Sequence, residues 1–133
     1  MPVYQVDPNS RRVTYGVTLG VIVMKSRVPC IPGSVSNASS YGYPVLYRVV
    51  DELDTKRLVY DADPKLLDPI LRAARELQDQ GVAAITADCG YMALFQNEVA
   101  SQLRVPVCLS SLLQVSLIRA LLPAARKIGT ASS

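Results

Sequence analysis

Val17-Thr18-Leu19-Gly20-Val21-Ile22-Val23-Met24 is rich in β-branched residues and almost wholly apolar. Alternation of polar and apolar residues would mark a strand with one wet face. Its absence predicts a strand buried on both sides, as in a parallel sheet flanked by helices. Two further runs of this kind follow, Val82-Ala83-Ala84-Ile85-Thr86-Ala87 and the shorter Val105-Pro106-Val107-Cys108-Leu109. Val45 to Val50 and Lys56 to Tyr60 are weaker strand candidates, and Lys127-Ile128-Gly129 would begin a last one.

Helical patterns fill the spaces between them. Asp63-Pro64 and Asp68-Pro69 each look like an N-cap followed by proline at the first helical position, so the first helix has two candidate starts. Leu66, Ile70, Ala74 and Leu77 share one of its faces, and Gly81 stands where a C-cap would. Met92, Phe95, Val99 and Leu103 form a second helical stripe. Ser110-Ser111 caps a third helix, with Leu112, Val115, Ile118 and Leu122 on one side. Strands alternating with helices of this length predict an α/β chain with a mainly parallel open sheet, residues 1–133 forming a single domain.

Composition narrows the chemistry. The chain has 133 residues, half of them hydrophobic, enough for a real core. Its 14 basic and 11 acidic residues leave a net charge of +3, and the basic ones are scattered in short pairs, which argues against nucleic-acid binding. There is no histidine, which removes Ser-His-Asp and Cys-His catalysis and every His-ligated metal from this chain. Cys30, Cys89 and Cys108 are odd in number and far apart, so neither a zinc site nor a disulfide framework is expected. The N-terminus is polar, and the longest apolar run is much shorter than the roughly 20 residues of a membrane span. A cytoplasmic protein with no membrane segment is the expectation.

In open α/β sheets, ligands bind beyond the carboxyl ends of the strands. Three segments fall there. Pro32-Gly33-Ser34-Val35-Ser36-Asn37-Ala38-Ser39-Ser40 is small and polar, with amides that could wrap an anion. It belongs to a connection from Lys25 to about Pro44, long enough to favour a functional role over a plain surface loop. Asp88-Cys89-Gly90 would place a thiol at a helix N-terminus, where the helix dipole favours the thiolate. Asp88 opposes that unless it points away, and a buried inert thiol is the plain alternative. Ser110-Ser111 would chiefly cap a helix. Cys108 is expected in the core, and Tyr41, Tyr43 and Tyr47 either pack the loop or close over a small ligand.

The stretch from Gly81 to Gln96, centred on Asp88-Cys89-Gly90-Tyr91, resembles the first cysteine motif of the aspartate/glutamate (hydantoin) racemase superfamily. Val105-Pro106-Val107, Ser110 to Val115, Ile31-Pro32-Gly33 with Asn37, and Pro44 to Tyr47 extend the resemblance over nearly the whole chain from about Val17. It implies a flavodoxin-like half-domain and an isomerase that moves a proton at the carbon next to a carboxylate, without cofactor or metal. Cys89 would be the first of two acid/base cysteines. Pro32, Gly33, Asn37, Gly90, Ser110 and Ser111 would hold a small carboxylate-bearing substrate, an amino acid or a relative of one. Members of that superfamily are about twice as long, with the site between two halves, and the second cysteine motif is missing here. The resemblance therefore implies an N-terminal half that acts only with a second half or as a homodimer. The rival from another class is a truncated, non-catalytic module that binds a carboxylate or assembles with a partner. A flavodoxin-like nucleotide binder lacks support, since no G-x-G-x-x-G or P-loop pattern comes after any strand.

Overall fold

The computed structural model describes residues 7–124 and 126–129. Four parallel strands form one open sheet in the order β2-β1-β3-β4: β1 is Leu19–Met24, β2 Val45–Val50, β3 Ala84–Ala87 and β4 Val107–Cys108. β1 pairs with β2 from Leu19↔Val45 to Met24↔Val50 and with β3 from Leu19↔Ala84 to Ile22↔Ala87. The helices are α1 (Leu67–Asp79), α2 (Gln96–Ser101) and α3 (Val115–Leu121). The α/β class and the parallel sheet are as the sequence predicts. No helix among the described residues is long and apolar enough to cross a membrane.

Of the two candidate starts for the first helix, the chain uses Asp63-Pro64. Asp63 accepts a hydrogen bond from the Lys65 N–H at 2.9 Å, and a turn over Pro64–Leu66 leads into α1. Leu66, Ile70, Ala74 and Leu77 are buried as expected, and with Ile22, Val50, Ile85 and Ala87 they form the core. Residues paired across strands share a face, so one face of the sheet carries that core. Gly20 makes the approach of α1 close: a Cβ there would stand 3.1–3.3 Å from Leu77 side-chain carbons. The stripe of Met92, Phe95 and Val99 is buried too, although the chain makes a 3₁₀ turn over Gly90–Phe95 before α2 begins.

Four expectations are corrected. Lys56–Tyr60 is a single π-helical turn, not a strand; Leu58 is fully buried, and Arg57 is drawn back to Asp54 and Asp63. Residues 127–129 form no strand. Cys108 is exposed, because β4 is a two-residue edge strand and the face it shares with Thr86 has no helix over it at that point. The apolar side of the third helix is not buried: Leu112 and Ile118 are 41 % and Leu122 39 % exposed, α3 buries none of its residues, and off that side Leu117 and Leu121 are 64 % and 74 % exposed.

Gly81 ends α1 at φ +97°. A Cβ there would lie 2.7 Å from the Thr14 carbonyl oxygen and closer still to the Arg12 side chain. Replacing it therefore combines left-handed strain with a backbone clash. Gly81→Ala is expected to destabilise the chain by about 2 kcal/mol, read as a lower urea midpoint at unchanged slope. An unchanged midpoint would show that the N-terminal segment does not pack against Gly81.

Candidate active site

β3 ends at Ala87, and the next peptide prolongs its ladder: the Asp88 N–H donates to the Ile22 carbonyl at 3.1 Å. The Asp88 side chain turns back towards β1. Its two carboxylate oxygens accept the Met24 N–H at 3.1 and 3.2 Å, and Oδ2 also accepts the Ser36 hydroxyl at 3.4 Å. One carboxylate thus joins the ends of β1 and β3 to the long loop. Burial raises its pKa, and the hydrogen bonds from Met24 and Ser36 pull the other way. A raised value in the folded state means that the ionised form costs stability, fully so once the pH is above that value.

Cys89 comes next, half-buried against the core, and caps the Gly90–Phe95 turn. Burial pushes its thiol above the ordinary value. The Tyr91 N–H opposes this, and the Asp88 charge adds to the rise. The expectation that a helix terminus stabilises the thiolate is therefore not met. Beyond Cys89 the chain forms only a 3₁₀ turn and the six-residue α2, a weak dipole against desolvation and a neighbouring carboxylate. Burial and the Asp88 charge both favour the thiol form of Cys89 over the thiolate.

Of the other residues singled out in the sequence, Gly90 and Ser110 come together with Cys89. A Cβ on Gly90 would stand 3.8 Å from the Ser110 hydroxyl and 3.7 Å from Leu112. Ser110 is buried and caps the turn after it, its hydroxyl accepting the Leu112 N–H at 3.1 Å, while Ser111 is exposed. The loop residues are occupied with one another. The Gly33 N–H donates to the Ser40 hydroxyl at 2.8 Å, which donates on to the Ser34 carbonyl at 2.6 Å. Asn37 donates to the Cys30 carbonyl at 2.7 Å and caps the Ala38–Ser40 turn through the Ser39 N–H at 2.9 Å. Pro32 is exposed and has no N–H to offer. Tyr41 and Tyr47 both donate to the Val35 carbonyl, at 2.9 and 3.1 Å, so these two rings hold the loop onto β2.

Three contributors were not singled out from the sequence: the clasp made by Asp88, its partner Ser36, and Gln96. Gln96 donates to the Val107 carbonyl at 2.8 Å and accepts the Leu109 N–H at 2.9 Å, which covers the open edge of β4. A carboxylate directly after a buried strand was the available signal for the first. Nothing in local pattern marks the other two. No group of three His, Cys, Asp or Glu placed to hold a metal ion is found among the described residues.

Fold and site together define an open-sheet α/β protein with a half-buried cysteine next to a clasping carboxylate at the carboxyl edge of its sheet. By sequence the chain is similar to dimethylsulfoniopropionate lyase 6 of Emiliania huxleyi (strain CCMP1516), 37 % identical over 103 residues that make up 74 % of this chain and 26 % of that protein. It is similar to dimethylsulfoniopropionate lyase 7 of the same organism, 34 % identical over 99 residues, 74 % of this chain and 29 % of the relative. Dimethylsulfoniopropionate lyase of Durusdinium sp. clade D is 32 % identical over 108 residues, 80 % of this chain and 35 % of the relative. The chain thus spans about a quarter to a third of the length of the curated relatives it matches. No protein-family model matches it, and no solved structure does.

These findings correct the resemblance to the aspartate/glutamate racemase superfamily and the isomerase activity it implied. The relatives are named lyases, and no family model supports a racemase. The alternative of a non-catalytic module gains no support from relatives that are named as enzymes.

With Cys30 and Cys108 replaced by serine, alkylation of Cys89 measured against pH is expected to inflect above about 8.5, the ordinary thiol value. Asp88→Asn, which removes the neighbouring charge, should move that inflection to lower pH. An inflection near 7 in the parent, or an upward move in the variant, would contradict the balance of burial and charge at Cys89.

Proposed function

We propose that the chain is the Cys89-bearing part of a lyase that breaks a carbon–sulfur bond in dimethylsulfoniopropionate. The observation that carries this reading is the 32–37 % identity, over 74–80 % of the chain, to proteins that bear that name. The site supplies chemistry that fits. The substrate has a carboxylate at one end and a sulfonium, a cationic sulfur leaving group, on the second carbon from it. Removal of a proton from the carbon next to the carboxylate lets that electron pair form a carbon–carbon double bond. The carbon–sulfur bond breaks, neutral dimethyl sulfide leaves, and acrylate remains. No electron is gained or lost overall, so the balance needs no redox cofactor.

In this reading the Cys89 thiolate takes the proton, which ends on Sγ and then exchanges with water. A raised pKa limits the thiolate fraction at neutral pH and makes the thiolate that does form a stronger base. Asp88 is a positioning residue that holds the loop carrying Ser36 beside the thiol. The exposed Gly90 and Ser111 would receive the substrate carboxylate, Ser110 fixes the turn that carries Ser111, and Pro32, Gly33 and Asn37 shape the loop. The exposed Leu117 and Leu121 of α3 support completion of the site by further protein, from a longer chain or a second copy.

The test is release of dimethyl sulfide from dimethylsulfoniopropionate, measured by headspace gas chromatography, with acrylate in equal amount. Cys89→Ala is expected to lower the rate by about 10²–10⁴-fold, the usual worth of a general base. Because the thiolate is the active form and its pKa is raised, the rate should climb with pH through the alkaline range. Sulfide released at an equal rate by the wild type and Cys89→Ala would contradict the proposal.

A further inference from the structure

At the other end of the sheet from Cys89, the close of α1 meets the chain beyond α2 and the N-terminal segment around a cavity of about 350 Å³. Arg11, Arg75 and Arg104 line it together with Gln78, Gln102 and Asp79. We propose that this cavity binds a small, multiply charged anion, either a phosphate ester or a polycarboxylate.

The pairing of charges on α1 is the first reason. Elsewhere on this helix Arg72 pairs with Glu52 at 3.0 Å, and Glu76 pairs with Arg48. Arg75 instead donates to an amide, the Gln102 oxygen, at 2.5 Å. Among the described residues no carboxylate pairs with Arg11, Arg75 or Arg104. Three guanidiniums against the one carboxylate of Asp79 leave the cavity at +2. Guanidiniums gathered without carboxylates repel one another, and their planar forks suit phosphate or carboxylate oxygens.

The second reason is that the wall is built from donors. The Gln78 oxygen is taken by the Arg104 N–H at 2.6 Å and the Gln102 oxygen by Arg75, and among the described residues neither amide NH₂ donates to a protein group. The N-terminal side is anchored as well. The Thr14 hydroxyl donates to the Gln80 carbonyl, Arg12 donates to the Thr14 carbonyl at 2.9 Å, and the Arg12 guanidinium lies 4.4 Å from the centre of the Tyr15 ring. These contacts set Arg11 at the rim. The volume is at the lower end of small-ligand sites, enough for one compact anion. This site is independent of the lyase reading.

Isothermal titration of the whole chain with inorganic pyrophosphate and, separately, with citrate at about 0.1 M salt tests the proposal. Saturable one-to-one binding of at least one anion is expected, weakened tenfold or more by Arg11→Gln and by Arg104→Gln. Lys65→Gln, an exposed charge elsewhere, should leave it within twofold. Tighter binding of pyrophosphate would assign a phosphate ester, and tighter binding of citrate a polycarboxylate. No saturation by either anion overturns the proposal, as does an equal loss in Lys65→Gln, the mark of unspecific charge attraction. Unchanged thermal midpoints of the unliganded variants would show that lost binding is not lost folding.

Discussion

The carboxylate of Asp88 closing on the Met24 N–H is the contact on which the site depends. β1 is central in the sheet, and its last peptide has reached the edge where helices and loops take over. A backbone donor left bare in such a half-buried place costs about 1–3 kcal/mol. Asp88 satisfies it from the neighbouring strand and takes Ser36 with its remaining capacity. The loop, the two strand ends and the position of Cys89 are thereby tied to one side chain. The same carboxylate adds to the burial that keeps the Cys89 thiol neutral, so what positions the thiol also sets its basicity.

Packing is uneven across the sheet. α1 covers one face closely because Gly20 gives Leu77 room, and the core gathers there. On the other face the loop is held over β2 by Tyr41 and Tyr47, while Cys108 and Val49 stay open. α3 stands clear with its leucines in solvent. Burying a leucine side chain is worth about 1.5–3 kcal/mol, so exposed Leu117, Leu121 and Leu122 represent stability still to be gained by contact with more protein.

How much of this could be read from the residues alone differs by level. The strands within 17–24 and 82–87 stood out because a doubly covered parallel strand is apolar without alternation, whereas 45–50, with Arg48 inside it and only Val50 buried, was the weaker candidate. The first helix stood out because proline and aspartate punctuate its start and Gly81 its end. Lys56–Tyr60 misled, since five residues rich in β-formers look alike whether they lie in a ladder or in a turn held by Asp54 and Asp63. Cys108 and the Ser110–Leu122 stripe misled for a related reason: an apolar pattern states what a segment could bury, not whether a partner is there to bury it. Cys89 was singled out by its place after a strand, and the structure puts it there, half-buried at the end of β3. Its protonation was not legible, because the balance between helix dipole, burial and Asp88 is three-dimensional. The correction of the racemase resemblance came from similarity over most of the chain to proteins named lyases.

The Asp88 clasp is most directly tested by hydrogen exchange of the backbone amide of Met24, resolved by NMR in the wild type and in Asp88→Ala. Exchange at Met24 should be slow in the wild type and at least about tenfold faster in the variant, a loss of roughly 1.4 kcal/mol in protection, while Ile22 in the middle of β1 keeps its rate. Equal protection of Met24 in both proteins would show that Asp88 does not hold the end of β1, and the site built on that contact would have to be abandoned.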